Sequence, residues 1–358
     1  MHQAQAIATI DQVKFFWQGP EGVARPKDAE TLKSLPNPAS QYKHCRWQRG
    51  WGFLRWTLAT NRALERAIAE VQPDAVMLPA WSEYFAPLWA HWFRKWRQRG
   101  VRFGAVIHDP VRDHYGLGQR AHRISLAQAY SFLDVAFVHE TIKLDAAGAQ
   151  QPETIVVPHG PYPVEESPVN KARLREEMGI PKEADVLLSF GHIRDGKCLE
   201  EILKALVACP NCHLIVAGRE QSGGQKPAQF YKDLAISLGV SKRCHWFTCY
   251  IPKEEVYRFF RAADRLLLLY SSDFHSMSGV LNVNAQFQLP VLASAGGGPL
   301  LKAVRDYNLG SILENAKPQT IAHGLRAKDN PIAHWEDYTR DHSWETNAQR
   351  VVTAFEAL

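Results

Sequence analysis

Residues 265–304, RLLLLYSSDFHSMSGVLNVNAQFQLPVLASAGGGPLLKAV, constrain the fold of this chain more than any other stretch. They open with an apolar run at 266–270, of the length and kind expected of a strand buried on both faces of a parallel sheet. A polar loop, a helix-like segment, a second buried strand at 290–293 and three glycines follow. Two strand ends that each feed a loop and then a helix predict a ligand crevice at the carboxyl edge of an α/β sheet.

The rest of the chain repeats this alternation. Apolar runs at 73–79, 101–107, 134–138 and 154–157, and again at 185–190, 213–217 and 244–248, are separated by segments of helical periodicity. This pattern predicts parallel sheets covered on both faces by helices. The segment 7–17 is interpreted as a further strand. A stretch rich in Pro and Glu at 161–168 predicts a domain linker, and the periodic tail from residue 341 predicts a helix long enough to pack back on the first domain.

Composition excludes several classes of protein. Hydrophobic residues make up 46% and charged residues 22% of the 358 residues, which is typical of a folded globular chain. No window reaches the roughly 18 apolar residues of a membrane span, the N-terminus lacks a signal-peptide pattern, and six scattered cysteines read as reduced thiols, so we expect a cytoplasmic protein. The net charge of +5 suits anionic small molecules or an anionic membrane surface and is too weak to predict nucleic-acid binding.

Glycines and cations follow several strands of the second half. Gly191, Lys197, Gly218 and Arg219 come after the runs at 185–190 and 213–217, and Gly297 comes after 290–293. Glycine lets backbone amides approach a phosphate, and Lys or Arg neutralises its charge. Each feature alone is more often a plain turn or a solvated side chain. Their recurrence on consecutive strand ends favours a diphosphate site.

An ordered set of segments resembles a known family. FGHIRDGK at 190–197 is similar to the FxGRLxxxKG segment of GT-B glycosyltransferases of family 4, also called group 1. IVAGR at 215–219, YIPKEEVYRFFRAAD at 250–264, LPVLAS at 289–294 and SWETNAQRV at 343–351 follow in the family's order. The resemblance covers about residues 155–358 well and 70–155 loosely.

This resemblance implies α/β GT-B architecture, in which two Rossmann-like parallel-sheet domains face each other across a cleft. Residues 1–162 would be the acceptor-binding domain, 163–340 the nucleotide-sugar-binding domain and 341–358 the returning helix. Lys197 matches the lysine that contacts the donor diphosphate. His192 stands where the family usually has arginine, so Arg194 or Arg219 could supply that charge. His108 matches the histidine that faces the donor sugar.

The chain departs from the family where a pair of glutamates, separated by seven residues, is usual. The best-matching positions are Ser276 and Asn284, around Gly279, and neither carries a charge. Both can hydrogen-bond to sugar, ribose or phosphate, and Asp273 and His275 could replace the first carboxylate. Retention or inversion therefore stays open. The predicted donor-binding residues are Gly191, His192, Arg194, Lys197, Gly218, Arg219, Asp273, His275, Ser276, Gly279, Asn284 and Gly297.

An inverting reaction would need a general base in the first domain. The segment HDPVRDH at 108–114 offers His108, Asp109 and Asp113 as catalytic candidates. The alternative for Asp113 is helix capping or a solvated loop. No cofactor is expected beyond the nucleotide diphosphate sugar as substrate, and the absence of an Asp-x-Asp motif argues against a required metal.

Tryptophans and cations alternate near one predicted helix of the first domain. Trp89, Trp92 and Trp96 could form the core face of an amphipathic helix, or they could dock with neighbouring Arg and Lys residues on an anionic membrane. Trp81 lies on the same predicted helix. A second cluster at 43–51 (Lys43, Arg46, Trp47, Arg49 and Trp51) favours the membrane interpretation slightly.

The combined hypothesis is a glycosyltransferase that moves a sugar, as hexosyltransferases do, from a nucleotide sugar to a hydroxyl of a lipid-linked or polysaccharide acceptor. Such a protein would be cytoplasmic and would bind peripherally to the inner face of the membrane. Two alternatives remain. One is a sugar-nucleotide epimerase or hydrolase of the same fold, and the other is a non-catalytic partner subunit that has lost the paired carboxylates.

Overall fold

A computed structural model describes residues 2–11, 13–20, 23–36, 46–79, 82–107, 118–141, 144, 151–165, 167–221, 224–327 and 332–358. The chain divides into two compact units. The first comprises Met1–Gly160 together with Ser343–Leu358, and the second comprises Pro161–His342. Among the described residues, no helix combines the length and the apolar character that crossing a bilayer would require.

The first unit contains a four-stranded parallel sheet with the strand order β3-β4-β5-β6, and a small two-stranded parallel sheet, β1-β2. Its elements up to residue 160 are α1 (His2–Ala8), β1 (Phe16–Trp17), β2 (Glu30–Thr31), α2 (Arg46–Val71), β3 (Ala75–Leu78), α3 (Ala86–Arg97), β4 (Arg102–Val106), α4 (Gln119–Tyr130), β5 (Val135–Val138) and β6 (Glu153–Val156).

The second unit contains a six-stranded parallel sheet with the strand order β12-β11-β10-β7-β8-β9. Its elements are α5 (Lys171–Glu177), β7 (Asp185–Phe190), α6 (Leu199–Leu206), β8 (Cys212–Ala217), α7 (Ala228–Ser237), β9 (Cys244–Phe247), α8 (Val256–Ala262), β10 (Arg265–Leu269), α9 (Gly279–Phe287), β11 (Val291–Ser294), α10 (Pro299–Asp306), β12 (Gly310–Ile312), α11 (Pro318–Arg326) and α12 (Trp335–Asp341). The last helix, α13 (Trp344–Glu356), belongs to the first unit.

Alternation along β4 explains how the first sheet is covered on both faces. Phe103 and Ala105 face a core that also includes Trp89 and Phe93 of α3, whereas Val106 faces a core shared with α1 and α13. Gly104 lies on this second face, where an added Cβ would come within 2.6 Å of the Phe355 ring. Helix α13 therefore approaches the sheet at a point that only glycine leaves open.

The apolar run at 266–270 is buried on both faces, as its composition predicts. Leu266 and Leu268 belong to one core of the second unit, whereas Leu267 and Leu269 belong to the other. None of the four is more than 4% exposed. At about 1.5–3 kcal/mol for each fully buried leucine, this strand contributes a large share of the apolar stabilisation of the sheet. The predicted α/β class with parallel sheets is thus confirmed in both units.

The interpretation of 7–17 as a strand is wrong. Residues 2–8 form α1, and only Phe16 and Trp17 of the segment lie in a strand. Ala6 and Ile7 are buried in the core formed with α13. Gln3 donates a hydrogen bond of 2.7 Å to Asn347 of that helix. The helix is therefore fixed by packing against a segment that is 344 positions away at the Gln3–Asn347 contact, and local periodicity does not reveal such a partner.

The tryptophans of α3 confirm in part the prediction that they form the core face of an amphipathic helix. Trp89 is 1% exposed, and Trp92 and Trp96 are partly buried against the same core. The Arg62 guanidinium lies 5.1 Å from the centre of the Trp92 ring, and Arg99 covers Trp96 in the same way. Trp81, Lys43 and the side chains of Arg46, Trp47 and Arg49 lie outside the described residues.

Candidate functional site at the carboxyl edge of the second sheet

The order of strands in the second unit creates a switch point between β7 and β10. From β7 the chain moves outward to β8 and β9, and from β10 it moves to the other side, to β11 and β12. Loops that leave two neighbouring strands in opposite directions open a crevice at their carboxyl ends. The loops after β7, β8, β10 and β11 contain all twelve predicted donor-binding residues except Gly279 and Asn284, which lie in α9.

Gly191 and Gly218 lie side by side where β7 and β8 end. The Gly191 amide donates to the Ala217 carbonyl at 2.9 Å, and the Ile193 amide donates to the Arg219 carbonyl at 2.9 Å, so the strand pairing continues into the loops. A Cβ on Gly218 would lie 2.2 Å from the Gly191 carbonyl oxygen, and Gly218 has a φ of +146°. Only glycine fits at this position, and it brings the two loops into direct backbone contact.

Lys197 is the buried cation of this edge. It ends a single 3₁₀ turn, Asp195–Lys197, and is 9% exposed. Its ammonium donates to the Phe190 carbonyl oxygen, and a Cβ placed on Gly191 would be 3.2 Å from the Lys197 nitrogen. Burial, with a further contribution from the Arg194 guanidinium, lowers the pKa of Lys197 to about 7.

Arg194 extends from the loop after β7 towards the loop after β10. Its guanidinium carbon lies 5.9 Å from the centre of the Phe274 ring, and Phe274 stacks on Tyr270 with ring centres 4.0 Å apart. The Tyr270 hydroxyl and the Ser278 hydroxyl are 3.0 Å apart. Arg194 and Lys197 therefore place two positive charges on one loop, at the junction of β7 and β10.

The three glycines after β11 wrap around the loop after β10. The Gly296 amide donates to the Phe274 carbonyl at 3.1 Å. A Cβ on Gly296 would lie 1.7 Å from the Ser272 carbonyl oxygen, and one on Gly298 would lie 2.2 Å from that of His275. Gly297 lies between them, beside the His275 ring. Glycine is thus required at 296 and 298 for close contact between two loops of the predicted site, and the φ of +132° favours glycine at 297.

Several predicted residues present exposed side chains or backbone at this edge. They are His192, Arg219, Asp273, His275, Ser276 and Gly279. Gly279 begins α9, and Arg219 follows β8 directly. The structure therefore brings ten of the twelve predicted donor-binding residues to the strand-end loops and places an eleventh, Gly279, at the first residue of α9.

Asn284 has a different environment. It is fully buried in α9, its side-chain amide donates to the Leu289 carbonyl at 2.8 Å, and its side-chain oxygen accepts from the Leu289 amide at 3.2 Å. The side chain thereby stabilises the turn from α9 into β11. A donor contact by Asn284 stays a prediction.

The predicted catalytic residues His108, Asp109 and Asp113 lie outside the described residues. Other side chains of the second unit also lie at this site but were not predicted as site residues from the sequence, notably Phe274, Tyr270 and Asp195. An aromatic residue inside an otherwise polar loop was the available signal for Phe274, because such a ring needs a partner to stack on. For Asp195 there was no comparable signal, since its contacts come from residues about thirty positions away.

Comparison with known proteins places this site in a family context. Residues 170–334 match the family model described as glycosyl transferases group 1. The D-inositol 3-phosphate glycosyltransferase of Mycolicibacterium gilvum is 29% identical over 164 residues, which cover 44% of this chain and 35% of that protein. The corresponding protein of Geodermatophilus obscurus is 26% identical over 227 residues, 60% of this chain and 49% of its own length. The matched stretches thus span less than half of these relatives.

Solved structures resemble the chain over most of its length. HepE of Anabaena, crystallised with UDP and glucose, has a TM-score of 0.66 at 15% identity and covers 92% of this chain and 87% of its own. A glycosyltransferase from Rickettsia africae has a TM-score of 0.64 at 11% identity, covering 99% and 93%. Sucrose-phosphate synthase of Thermosynechococcus elongatus has 0.58 at 14%, covering 99% and 87%. These likenesses establish the fold, and the chain is therefore a GT-B fold protein that resembles the group 1 glycosyl transferases.

Proposed function

We propose that this protein is a glycosyltransferase that moves a sugar from a nucleotide diphosphate sugar to a hydroxyl group of an acceptor. The observation that carries the proposal is Lys197, a buried ammonium with one carbonyl partner among the described residues, beside Gly191 at the switch point of a unit that matches the group 1 family. A buried cation with so little compensation is costly unless an anion completes its environment. A diphosphate is the anion that fits the surrounding glycines, because glycine lets backbone amides approach a phosphate closely.

The second unit would bind the donor through its charges and its backbone. The Lys197 ammonium and the Arg194 guanidinium neutralise the diphosphate, and the close loops at Gly191 and Gly218 let backbone atoms approach it. When the bond to the sugar breaks, the same two cations stabilise the negative charge that develops on the leaving diphosphate. This arrangement requires no metal. Because HepE was crystallised with UDP, UDP is the first nucleotide to test as part of the donor.

The stereochemical outcome is not part of the proposal. Ser276 and Asn284 offer no carboxylate to an oxocarbenium-like transition state, although Asp273 lies in the same loop as Ser276. If the reaction inverts the anomeric centre, His108, Asp109 and Asp113 are the candidates for the general base in the first unit.

The acceptor would be a lipid-linked or polysaccharide intermediate, met by a cytoplasmic protein at the inner face of a membrane. Apolar side chains are exposed on three neighbouring helices of the first unit: Trp51 on α2 at 66%, Leu88 on α3 at 49% and Ile124 on α4 at 61%. Ring contacts from Phe53 to Tyr84, and from Tyr84 to His122, connect α2 and α4 through the turn that precedes α3. Apolar and cationic side chains together suit an anionic membrane surface.

The arginines that could accompany these apolar residues are Arg55, Arg120 and Arg123, which are exposed. Arg94 and Arg97, in contrast, are bonded to residues of the first unit, Arg94 to Gln128 and Arg97 to Asp134. Co-sedimentation with vesicles of phosphatidylglycerol and phosphatidylcholine tests the surface. We expect wild type to sediment and a Trp51→Ser, Arg120→Gln, Arg123→Gln variant to stay in solution; equal sedimentation would contradict membrane binding through this surface.

One experiment separates the proposed function from its alternatives. Purified protein is incubated with UDP-, GDP-, ADP- and dTDP-sugars, with and without a pool of lipid-linked and glycan acceptors, and nucleotide release is measured. A transferase releases nucleotide in an acceptor-dependent manner. Release or interconversion of the donor without acceptor indicates a hydrolase or epimerase. A Lys197→Ala variant that retains the biological role would indicate a non-catalytic subunit, which the uncharged Ser276 and Asn284 favour.

A further inference from the structure

We propose that Asp195 and Tyr231 are positioning residues that hold Lys197 in place for the donor diphosphate. The proposal rests on the function proposed above and adds to it how the second unit fixes its main cation. Asp195 lies in the FGHIRDGK segment at 190–197, but neither Asp195 nor Tyr231 is among the predicted donor-binding residues. Each acts on the ligand through Lys197.

The first support is the hydrogen bonding of Asp195. Its carboxylate oxygen Oδ1 accepts from the Tyr231 hydroxyl at 2.9 Å and from the Lys226 amide at 3.1 Å, and its own amide donates to Gln225 Oε1 at 2.8 Å. Tyr231 lies on α7 and is 1% exposed. Burial, and the hydrogen bond to Asp195, raise the pKa of Tyr231, so its hydroxyl stays protonated and donates.

The second support is that the 3₁₀ turn Asp195–Lys197 is held from both sides. On one side Asp195 is bonded to residues 225–231. On the other side the Gly196 carbonyl accepts from the Ser271 amide, in the loop after β10, at 3.0 Å. The next residue, Cys198, has a φ of +50°, a conformation that a non-glycine residue adopts at a cost. The surrounding contacts thus impose this turn, and the turn directs Lys197 inward to the Phe190 carbonyl.

A lysine gains from such support because its stem is flexible. A free lysine side chain samples many rotamers, and this entropy is lost when the ammonium is fixed. A turn that already holds the ammonium beside Gly191 removes part of that loss from the free energy of binding. Asp195 itself is exposed and Tyr231 fills the core, so the bond between them connects the loop to the rigid part of the unit.

Isothermal titration with UDP, and with inorganic pyrophosphate as a probe that lacks base and sugar, tests the proposal. We expect Asp195→Ala to weaken both ligands about tenfold and Tyr231→Phe about fivefold, whereas Asp195→Asn, which keeps the oxygen acceptor, stays within about twofold of wild type. Asp233→Asn is the matched control. Asp233 also lies on α7 and accepts a hydrogen bond, at 2.8 Å from Gln229, but it does not contact the turn.

A double-mutant cycle shows whether Asp195 acts through Lys197. In a Lys197→Met background, measured by ligand-observed NMR at millimolar ligand, Asp195→Ala should cost less than about a further twofold. Thermal unfolding of each variant identifies loss of fold, and Tyr231→Phe, measured in both backgrounds, provides the answer if Asp195→Ala does not fold. A merely structural role would weaken binding equally in both backgrounds and would contradict the proposal.

The remaining outcomes separate this proposal from the proposed function. If Lys197→Met weakens binding and Asp195→Ala does not, only the positioning role is wrong. If Lys197→Met binds both probes as wild type does, or if wild type binds neither, the diphosphate site itself is wrong and the positioning role fails with it.

Discussion

Buried cations have different environments at the two edges of the six-stranded sheet: the amino edge, where the strands begin, and the carboxyl edge, where they end. At the amino edge, Arg175 is 6% exposed and donates to the carbonyls of Ala262, Lys182 and Ala184 and to the Asp264 carboxylate. At the carboxyl edge, Lys197 is buried to a similar extent, and in the described part of the chain its ammonium has one hydrogen-bond partner, the Phe190 carbonyl.

This difference indicates which edge is built for stability and which for a ligand. A guanidinium whose donors are used by the fold contributes to stability, and removing it leaves several polar groups unsatisfied. An ammonium with one partner costs stability and gains from an incoming anion. Uncompensated charge tends to collect where a protein binds ligands.

The largest effect on stability is expected at the amino edge. Arg175→Ala should lower the free energy of unfolding by about 3 kcal/mol, because Asp264 and three carbonyls lose a buried partner. UDP affinity of the folded fraction should stay within about twofold of wild type. Denaturant unfolding and titration measure the two quantities. Arg173→Ala, an exposed neighbour that is paired with Glu177, is the control and should cost less than about 0.5 kcal/mol. A large loss of UDP affinity in Arg175→Ala would contradict the separation of the two edges.

The next effect concerns the backbone contact at the carboxyl edge. Gly218→Ala places a Cβ 2.2 Å from the Gly191 carbonyl oxygen, and we expect a loss of more than about 2 kcal/mol of stability together with weaker UDP binding. Gly179→Ala is the matched control, since Gly179 also has a positive φ, +68°, but no atom within 4 Å of the added Cβ. It should cost about 1 kcal/mol and leave binding unchanged. Equal losses in the two variants would show that the close contact has no importance of its own.

The third effect is a pH dependence of donor affinity. With the pKa of Lys197 at about 7 in the free protein, the ammonium is mostly protonated below pH 7, and above it binding must take up a proton. Affinity for UDP should therefore fall about fivefold between pH 7 and pH 8, and Lys197→Met should show no such fall. In the absence of ligand the unfolded chain keeps this lysine protonated up to about pH 10.4, so this group makes stability rise with pH between about 7 and 10.4. If the affinity of wild type for UDP did not change between pH 7 and pH 8, the claim that Lys197 is an uncompensated cation would be contradicted.

The smallest effect is a pH dependence of stability at the amino edge. His213 Nδ1 and His245 Nε2 are 3.1 Å apart at the beginning of β8 and β9. Burial lowers the pKa of both, and His245, Arg243 and Arg175 lower that of His213 further. Because the folded-state pKa lies below the unfolded value of about 6.5, this contribution to stability is present above pH 6.5 and is lost as pH falls through the folded-state values.

Unfolding at pH 5, 6 and 7 checks this prediction, and a His213→Gln, His245→Gln variant should show a flatter profile. UDP affinity of the folded protein should not follow the titration of this pair. If it did, the two edges would not act independently.

The sequence predicted the parts of the fold that depend on local composition. The four leucines of β10 marked a strand buried on both faces, and the glycines and Lys197 after the strands identified the carboxyl edge. The N-terminal segment forms a helix instead of the predicted strand because α1 is fixed by Asn347 and by the core formed with α13. The interpretation of Asn284 as a donor contact did not anticipate its bonds to Leu289, which a helix end requires and a motif does not record.

Contacts between distant parts of the chain set the limit of that prediction. Asp195 and Tyr231 are 36 positions apart, and their hydrogen bond depends on how α7 packs beside α6. Arg194 and Phe274 are 80 positions apart, and they meet only because β7 and β10 are neighbours in the sheet. A pattern of residue types predicts strands and turns. The hydrogen-bond and ring partners of a side chain follow from the order of the strands in the sheet, which could not be predicted from the sequence alone.

The most direct test of the central claim is one comparison of wild type with Lys197→Met, in which thermal unfolding and UDP affinity are measured at pH 6. If Lys197 is an uncompensated cation kept for a diphosphate, the methionine variant should unfold about 2 °C or more above wild type and bind UDP about a hundredfold more weakly. A variant that is less stable than wild type and binds UDP equally well would show that Lys197 serves the fold, and it would contradict the assignment of the donor site to this edge.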